Sequence, residues 1–136
     1  MWPVSGPVIR PFDPPDSPYG SGHRGIDIAA AAGSVVLAPA DGRVSFAGPV
    51  GGRLFLTIDH GGGLESTYSW LSALSVRRDD LVRAGQPVAR TGAGHTGDAV
   101  PNLHMGAKLD DLYVDPLDYL TPIDVSALIR LAPLTA

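Results

Sequence analysis

Cysteine is absent from this chain of 136 residues, and its absence excludes three kinds of chemistry. Without a thiol, the protein forms no disulfide, no thiolate zinc site and no cysteine nucleophile. The same absence leaves the redox compartment of the protein undetermined. Any metal site in this sequence therefore has to use histidine and carboxylate side chains.

Positive charge and long apolar runs are also scarce. Ten Lys and Arg residues stand against fourteen Asp and Glu residues, so the formal net charge is −4 with neutral histidines. The sequence gathers its positive charge into no stripe that would bind phosphates, and we expect no nucleic-acid partner. Because no apolar run reaches transmembrane length and the N-terminus lacks the pattern of a signal peptide, we expect no membrane span, signal or anchor in this chain, with a signal or anchor that has been removed as the alternative.

Glycine and proline are abundant, and their distribution predicts an all-β, mainly antiparallel domain. The seventeen Gly and thirteen Pro residues separate short β-branched runs, as expected for strands joined by tight turns. With 44% hydrophobic and 18% charged residues, the composition is that of a folded globular domain. We predict strands at residues 25–28, 34–38, 42–47, 54–59, 65–70, 87–91 and 103–109.

Two segments share a local pattern that suggests an internal repeat. Residues 32–44 and 81–92 each contain a glycine, a valine-centred strand and a second glycine. This pattern predicts two hairpin-like halves packed face to face, in a two-layer β-sandwich or hybrid barrel. We assign residues 1–120 to this domain. The apolar tail at 121–136 is expected to form a short helix or packed extension, with a linker to a further domain as the alternative.

Candidate metal ligands begin with His23. Ile26 and Ile28 alternate with His23, Gly25 and Asp27, and this alternation places the polar set on one face of a strand. In an ideal strand, four positions span about 13 Å, which is too far for two ligands of one ion. The segment must therefore bend, and glycine is the residue at which a strand bends most easily.

A second alternating stretch supplies the third candidate ligand. Asn102 and His104 share a face there, and His104 can join His23 and Asp27 around one ion. Two histidines and one carboxylate with an open fourth position form a zinc site of the catalytic type. The spacing by itself is a weak signal, and without further information it favours histidines that lie on the surface or cap the core.

Seven motifs follow one another in order between residues 2 and 120. They are HRGIDIA at 23–29, VLAPADGRV at 36–44, IDHG at 58–61, TY at 67–68, VRAGQPV at 82–88, LH at 103–104 and VDPLDYL at 114–120. This set resembles the LytM or lysostaphin-type domain of the M23 zinc metallopeptidases, which cleave peptide cross-bridges or stems of bacterial peptidoglycan. The resemblance implies zinc as cofactor, peptidoglycan or its peptides as partner, and a location outside the cytoplasm, in the cell wall or periplasm or secreted.

The resemblance also assigns roles to individual residues. His23 and Asp27 match the His-x-x-x-Asp ligands of the family, and His104 matches the second histidine of its His-x-His motif. Trp70 stands where the Tyr-x-His-Leu motif has a catalytic histidine, and Asn102 replaces the first histidine of His-x-His. An indole accepts no proton, and an asparagine amide donates a hydrogen bond but is no base. The expected protein is a zinc-binding domain with lost or weak endopeptidase activity, which recognises peptidoglycan or regulates a cell-wall hydrolase.

His95 supports the alternative of an active zinc endopeptidase. It lies in the glycine-rich loop that precedes the third ligand, where a side chain can reach over a metal ion. In that role His95 would be a substitute catalytic base or a fourth ligand. As an exposed loop histidine, it would leave the domain inactive.

A third class of function is a carrier or phosphoryl-transfer domain, because lipoyl, biotinyl and sugar-phosphotransferase domains show a similar valine and glycine pattern. A carrier needs a lysine at a hairpin tip, but Lys108 precedes Leu-Asp-Asp near the end of the fold. A phosphoryl-transfer site needs adjacent histidines without a carboxylate ligand, and Asp27 argues against it. We therefore give this class less weight.

Overall fold

A computed structural model describes residues 1–14, 22–94 and 97–120 of this chain. Within these ranges, the protein forms ten β-strands and one short 3-10 helix. Every pairing between these strands is antiparallel, which confirms the predicted all-β class. The elements are β1 (Val8–Arg10), β2 (Ile26–Ala29), β3 (Val35–Leu37), β4 (Gly42–Val50), β5 (Arg53–Gly61), β6 (Leu64–Leu74), β7 (Leu81–Val82), β8 (Pro87–Thr91), β9 (Asn102–Leu109), β10 (Leu112–Val114) and the 3-10 helix η1 (Pro116–Asp118). Within the described ranges, no helix has the length and apolar character that a membrane crossing requires.

Strand β6 organises the sheet because it changes partner along its length. The main strand order is β1-β2-β9-β6-β5-β4-β7, with β10 beside β9 and β8 between β3 and β6. The first part of β6 pairs with β9 as far as Ser69, which lies opposite His104. From Leu71, which lies opposite Thr91, it pairs with β8 instead. Trp70 is the residue at which the two ladders separate.

The two segments of the internal repeat are neighbours in the hydrogen-bonded network. Strand β3 of the first segment pairs with β8 of the second, and β4 pairs with β7 in the same way. The predicted hairpins are wrong, because β3 does not pair with β4 and β7 does not pair with β8. The two segments instead exchange strands through main-chain hydrogen bonds.

All seven predicted strands are present, and three short ones were missed. Strands β1, β7 and β10 contain only two or three residues, which is too few for an alternating pattern to be recognised. Strand β6 extends to Leu74 rather than ending at residue 70, because β8 gives it a second partner. The tail predicted at 121–136 lies outside the described residues.

The core is formed by branched apolar side chains from most of the strands. Ile26 and Ile28 are fully buried, on the apolar face that the alternation in β2 predicts. The other buried apolar residues include Val36, Val44, Leu56, Ile58, Val82, Val88, Leu103 and Met105. With its inner face packed in this way, β2 presents Asp27 on the opposite side.

Tyr68 is a fully buried residue in this core, and its hydroxyl begins a chain of hydrogen bonds that ends at the main chain. It donates to Ser66 Oγ at 2.8 Å, and that hydroxyl lies 2.7 Å from Nε2 of His60. Nδ1 of the same imidazole donates to the carbonyl of Asp41 at 2.8 Å, which leaves Nε2 as an acceptor. Burial raises the pKa of the Tyr68 hydroxyl well above its usual value and keeps it protonated. His60 therefore links Ser66 to the main chain of Asp41.

Replacement of Tyr68 by Phe should lower the free energy of unfolding by about 1 kcal/mol, because Ser66 loses its donor while the ring keeps its packing. Urea denaturation measures this difference. Tyr119→Phe is the matched control, since the Tyr119 side chain is exposed and the change should cost less than about 0.5 kcal/mol. Equal effects of the two variants on the free energy of unfolding would show that the hydrogen bond between Tyr68 and Ser66 adds no stability.

Gly25 immediately precedes β2, and it allows β2 to approach β9. A Cβ atom at this position would collide with the carbonyl oxygen of Met105 and would lie 2.8 Å from Nε2 of His104. Gly25→Ala should therefore destabilise the domain by about 1–3 kcal/mol in urea denaturation, as overpacking does elsewhere. Gly48→Ala in β4 is the control, because the nearest atom to its Cβ would be 3.9 Å away. A Gly25→Ala protein as stable as Gly48→Ala would contradict this account.

Candidate metal centre

The structure brings His23, Asp27 and His104 together at the junction of β2 and β9. Asp27 lies directly opposite His104 in the antiparallel register, so both side chains point to the same side of the sheet. Asp27 Oδ1 lies 2.8 Å from Nδ1 of His104 and 3.2 Å from Nε2 of His23. The predicted bend between His23 and Asp27 is confirmed, because an ideal strand would hold them about 13 Å apart.

His23 reaches Asp27 because the chain before β2 folds back on itself. His23 forms an isolated antiparallel bridge with Asp13, in which the main-chain nitrogen of each residue donates to the carbonyl oxygen of the other, at N···O distances of 2.9 and 2.7 Å. Nδ1 of His23 donates to the carbonyl of Pro11 at 2.9 Å. That hydrogen bond places the proton on Nδ1 and leaves a lone pair on Nε2.

These three side chains suit a divalent cation. Their ligand atoms lie within 4.8 Å of one another, and Nε2 of His23 is buried without a hydrogen-bond partner. In the neutral tautomer that the Pro11 hydrogen bond favours, this nitrogen and Asp27 Oδ1 are two acceptors 3.2 Å apart. A cation in that position would relieve the repulsion. The set of two imidazole nitrogens and one carboxylate oxygen is a donor set typical of zinc.

A groove of about 670 Å³ opens over His23 and His104. Its lining includes Trp70 from β6 and Lys108 from β9. Lys108 is half-buried, and the fold places it in this groove. Because Asp27 is more deeply buried than His104, a metal ion held here would be open on the groove side.

Trp70 adopts a backbone conformation that is rare for a large side chain. Its φ angle is 63°, at the point where β6 leaves β9 for β8. The guanidinium of Arg53 lies over the indole, 3.9 Å from the ring centroid. The indole has no lone pair with which to bind a metal or accept a proton, so Trp70 contributes a wall of the groove.

Asn102 is almost fully buried, and it lies on the same face of β9 as His104. Its amide nitrogen donates to Asp98 Oδ2 and to the carbonyl of Val100, each at 2.9 Å. Its oxygen Oδ1 is buried without a hydrogen-bond partner. The sequence suggested a hydrogen-bond donor here, but both N–H groups are occupied and only the acceptor remains.

Gly94 allows the contact between Asn102 and Asp98. A Cβ atom on Gly94 would lie 2.6 Å from Nδ2 of Asn102 and 2.9 Å from Oδ2 of Asp98. Asp98 and the carbonyl of Pro11 were not singled out from the sequence, since neither belongs to a motif and both act through contacts made by the fold. His95, the predicted substitute base, lies outside the described residues.

The comparison with known proteins agrees with this geometry. The model of "Peptidase family M23" matches residues 21–116. An uncharacterized protein of Mycobacterium tuberculosis is 37% identical over 99% of this chain and 55% of its own length. The "Murein hydrolase activator NlpD" of Escherichia coli is 36% identical over 88% of this chain and 30% of its own length.

A solved structure supports the same assignment. Helicobacter pylori Csd3 matches with a TM-score of 0.76 and 27% identity, over 98% of this chain and 40% of that chain. The present chain thus spans about half the length, or less, of the curated relatives described above. The family model covers most of the domain and includes all three candidate ligands. On the sequence match and the shared fold, this chain belongs to peptidase family M23.

Proposed function

We propose that this domain binds one zinc ion through His23, Asp27 and His104, and that it recognises peptidoglycan or regulates a cell-wall hydrolase. We further propose that its own endopeptidase activity is weak or lost. One observation carries this proposal. Three metal-ligating side chains are clustered, whereas the two neighbouring positions, Trp70 and Asn102, hold side chains that cannot act as a general base.

The residues present favour binding over cleavage. Zinc would supply Lewis acidity, which polarises a carbonyl group. Cleavage of a peptide also needs groups that move protons, and each such group contributes about 10²–10⁴-fold. Trp70 has no atom that can accept a proton. Asn102 offers only its neutral Oδ1 as an acceptor, because its amide nitrogen already donates to the carboxylate of Asp98. A developing oxyanion would meet no donor at Asn102.

The relatives support a role at the cell wall. NlpD is named as an activator of murein hydrolases, and it aligns with 88% of this chain. A domain that has kept the groove and the ligand cluster while losing proton-handling groups suits such a role. We accordingly propose that it works outside the cytoplasm, on peptidoglycan or beside a hydrolase that acts on it.

Purified protein should contain about one zinc ion per chain, and Asp27→Asn or His23→Ala should remove most of it. Elemental analysis by mass spectrometry measures the content. Asp111→Asn is the matched control, because this exposed carboxylate lies away from the cluster and should leave the zinc content unchanged. Zinc affinity should also fall as pH falls, since a protonated imidazole has no lone pair for the metal. Undiminished zinc in both ligand variants would refute the assignment.

The zinc-loaded domain should cleave cross-linked muropeptides poorly or not at all. The double variant Trp70→His, Asn102→His should raise the rate by about 10²-fold or more, and each single variant by less, because the two groups act as a unit. Histidine is among the residues that tolerate a positive φ, so position 70 can accept it.

The control for this assay is the same double variant with Asp27→Asn, which should be inactive. Product formation by liquid chromatography is the measurement. Robust turnover by the unmodified protein, abolished by a chelator and by His95→Ala, would overturn the inactive assignment. It would make the domain an active endopeptidase with His95 as a catalytic residue.

A further inference from the structure

Trp70 lines a second cavity in addition to the groove over the metal centre. This second cavity has a volume of about 370 Å³, and none of the three candidate metal ligands belongs to its described lining. The turn between β4 and β5, the partner change in β6 and the loop after β8 form its walls. Arg53 is the one ionisable side chain in that described lining, so the cavity carries a single positive charge.

Arg53 has no carboxylate partner among the described residues. No ion pair between those residues includes it. In the sheet, Arg53 lies opposite Val50 of β4, and the next residue, Leu54, lies opposite Leu71 of β6. The carboxylate of β5 itself belongs to Asp59, six residues away, which corresponds to about 20 Å along the strand. The positive charge of Arg53 is therefore available to a ligand.

The indole of Trp70 orients this guanidinium. The two groups stack, with the guanidinium carbon 3.9 Å from the ring centroid. Stacking covers a face of the guanidinium and leaves the N–H groups at its edge able to donate. Two parallel N–H groups at such an edge match the two oxygens of a carboxylate. A side chain that is already ordered also loses less entropy when it binds a ligand.

The loop after β8 brings main-chain donors to the same cavity. Ala93 and Gly94 line it, and neither N–H group donates to an acceptor within the part of the chain that the structure describes. The loop is held on both sides of Ala93. The N–H of Gly92 donates to the carbonyl of Trp70 at 2.9 Å, and Gly94 approaches the Asn102 amide too closely to leave room for a Cβ atom. Unpaired N–H groups on a loop held in this way are suited to bind an anion.

We propose that this cavity binds the C-terminal carboxylate of a peptide whose last residue is small and apolar. The Arg53 guanidinium would hold the carboxylate through two hydrogen bonds, and the N–H groups of Ala93 and Gly94 would donate to it as well. One positive charge matches a carboxylate better than it matches a phosphate group with a charge near −2. Leu54 and Leu71 supply an apolar part of the lining, and the volume suits one or two residues.

The proposed carboxylate site uses none of the candidate metal ligands, and it goes beyond the function proposed above. A protein C-terminus and a wall peptide that ends in a D-residue both carry the group that it would bind. The chirality of the last residue distinguishes these two sources. Failure of this proposal would leave zinc binding and a role at the cell wall standing, because neither depends on Arg53.

The test compares N-acetyl-alanyl-alanine that has a free C-terminus with the same peptide as its C-terminal amide. A two-dimensional amide NMR titration of the full chain as purified should show saturable shifts at Ala93 and Gly94 with the free peptide. The amidated peptide should bind about tenfold more weakly or less well still. Salt should weaken binding of the free peptide and leave that of the amidated peptide unchanged.

The same titration with all-L and all-D peptides identifies the source of the carboxylate. Tighter binding of the all-L peptide assigns a protein C-terminus, and tighter binding of the all-D peptide assigns a wall peptide. Equal binding of the two would mean that the cavity recognises the carboxylate whatever the chirality of the last residue.

Arg53→Gln should weaken binding of the free peptide by about tenfold and leave the amidated peptide unchanged. Arg53→Lys keeps the charge but loses the planar pair of donors, so its affinity should be intermediate. Arg77→Gln is the matched control, since this exposed arginine lies outside the cavity lining and should change neither affinity. The amide spectrum of each variant shows whether it is folded.

Three results would overturn the proposal. Equal affinity for the free and the amidated peptide would show that the cavity does not select a carboxylate. Binding that survives Arg53→Gln and shifts the signals of His23 and His104 would place the carboxylate at the metal centre instead. Folded, zinc-containing protein that binds neither peptide would remove this site and leave the zinc assignment intact.

Discussion

The antiparallel pairing of β2 with β9 is the constraint on which the rest of the site depends. It sets Asp27 opposite His104, and the carboxylate then lies within 2.8 Å of one imidazole and 3.2 Å of the other. A shift of one residue in this register would turn Asp27 into the core and expose Ile26 or Ile28. The fully buried isoleucines thus oppose such a shift, and the hydrophobic core holds the ligand geometry.

The neighbouring hydrogen bonds determine which polar groups remain available beside the ligand cluster. Asn102 keeps its place on β9 beside His104, but Asp98 and the carbonyl of Val100 take both of its donors. The Asn102 amide, which the sequence suggested as a donor, therefore offers only its oxygen as an acceptor. Trp70 lines the groove, and the guanidinium of Arg53 stacks on its ring.

The charge of the groove is a property of the tertiary structure. Along the chain, Arg10, Arg24 and Lys108 are scattered singly, and no stretch of sequence gathers them. Strand β1, the turn before β2 and strand β9 bring them to one groove, while several carboxylates gather on a separate surface. Strand pairing therefore decides which charged residues surround the groove, and the net charge of the chain does not describe them.

The sequence by itself determined the all-β class, the inward face of β2 and the motifs that mark the family, because turn residues, alternation and motifs are local signals. It also predicted that His23 must bend towards Asp27. It did not show that the carbonyl of Pro11 would orient the imidazole, or that Asp98 would occupy the donors of Asn102. Only the tertiary structure decided these contacts, because each depends on loop geometry or on strand pairing between distant segments, which local periodicity does not encode.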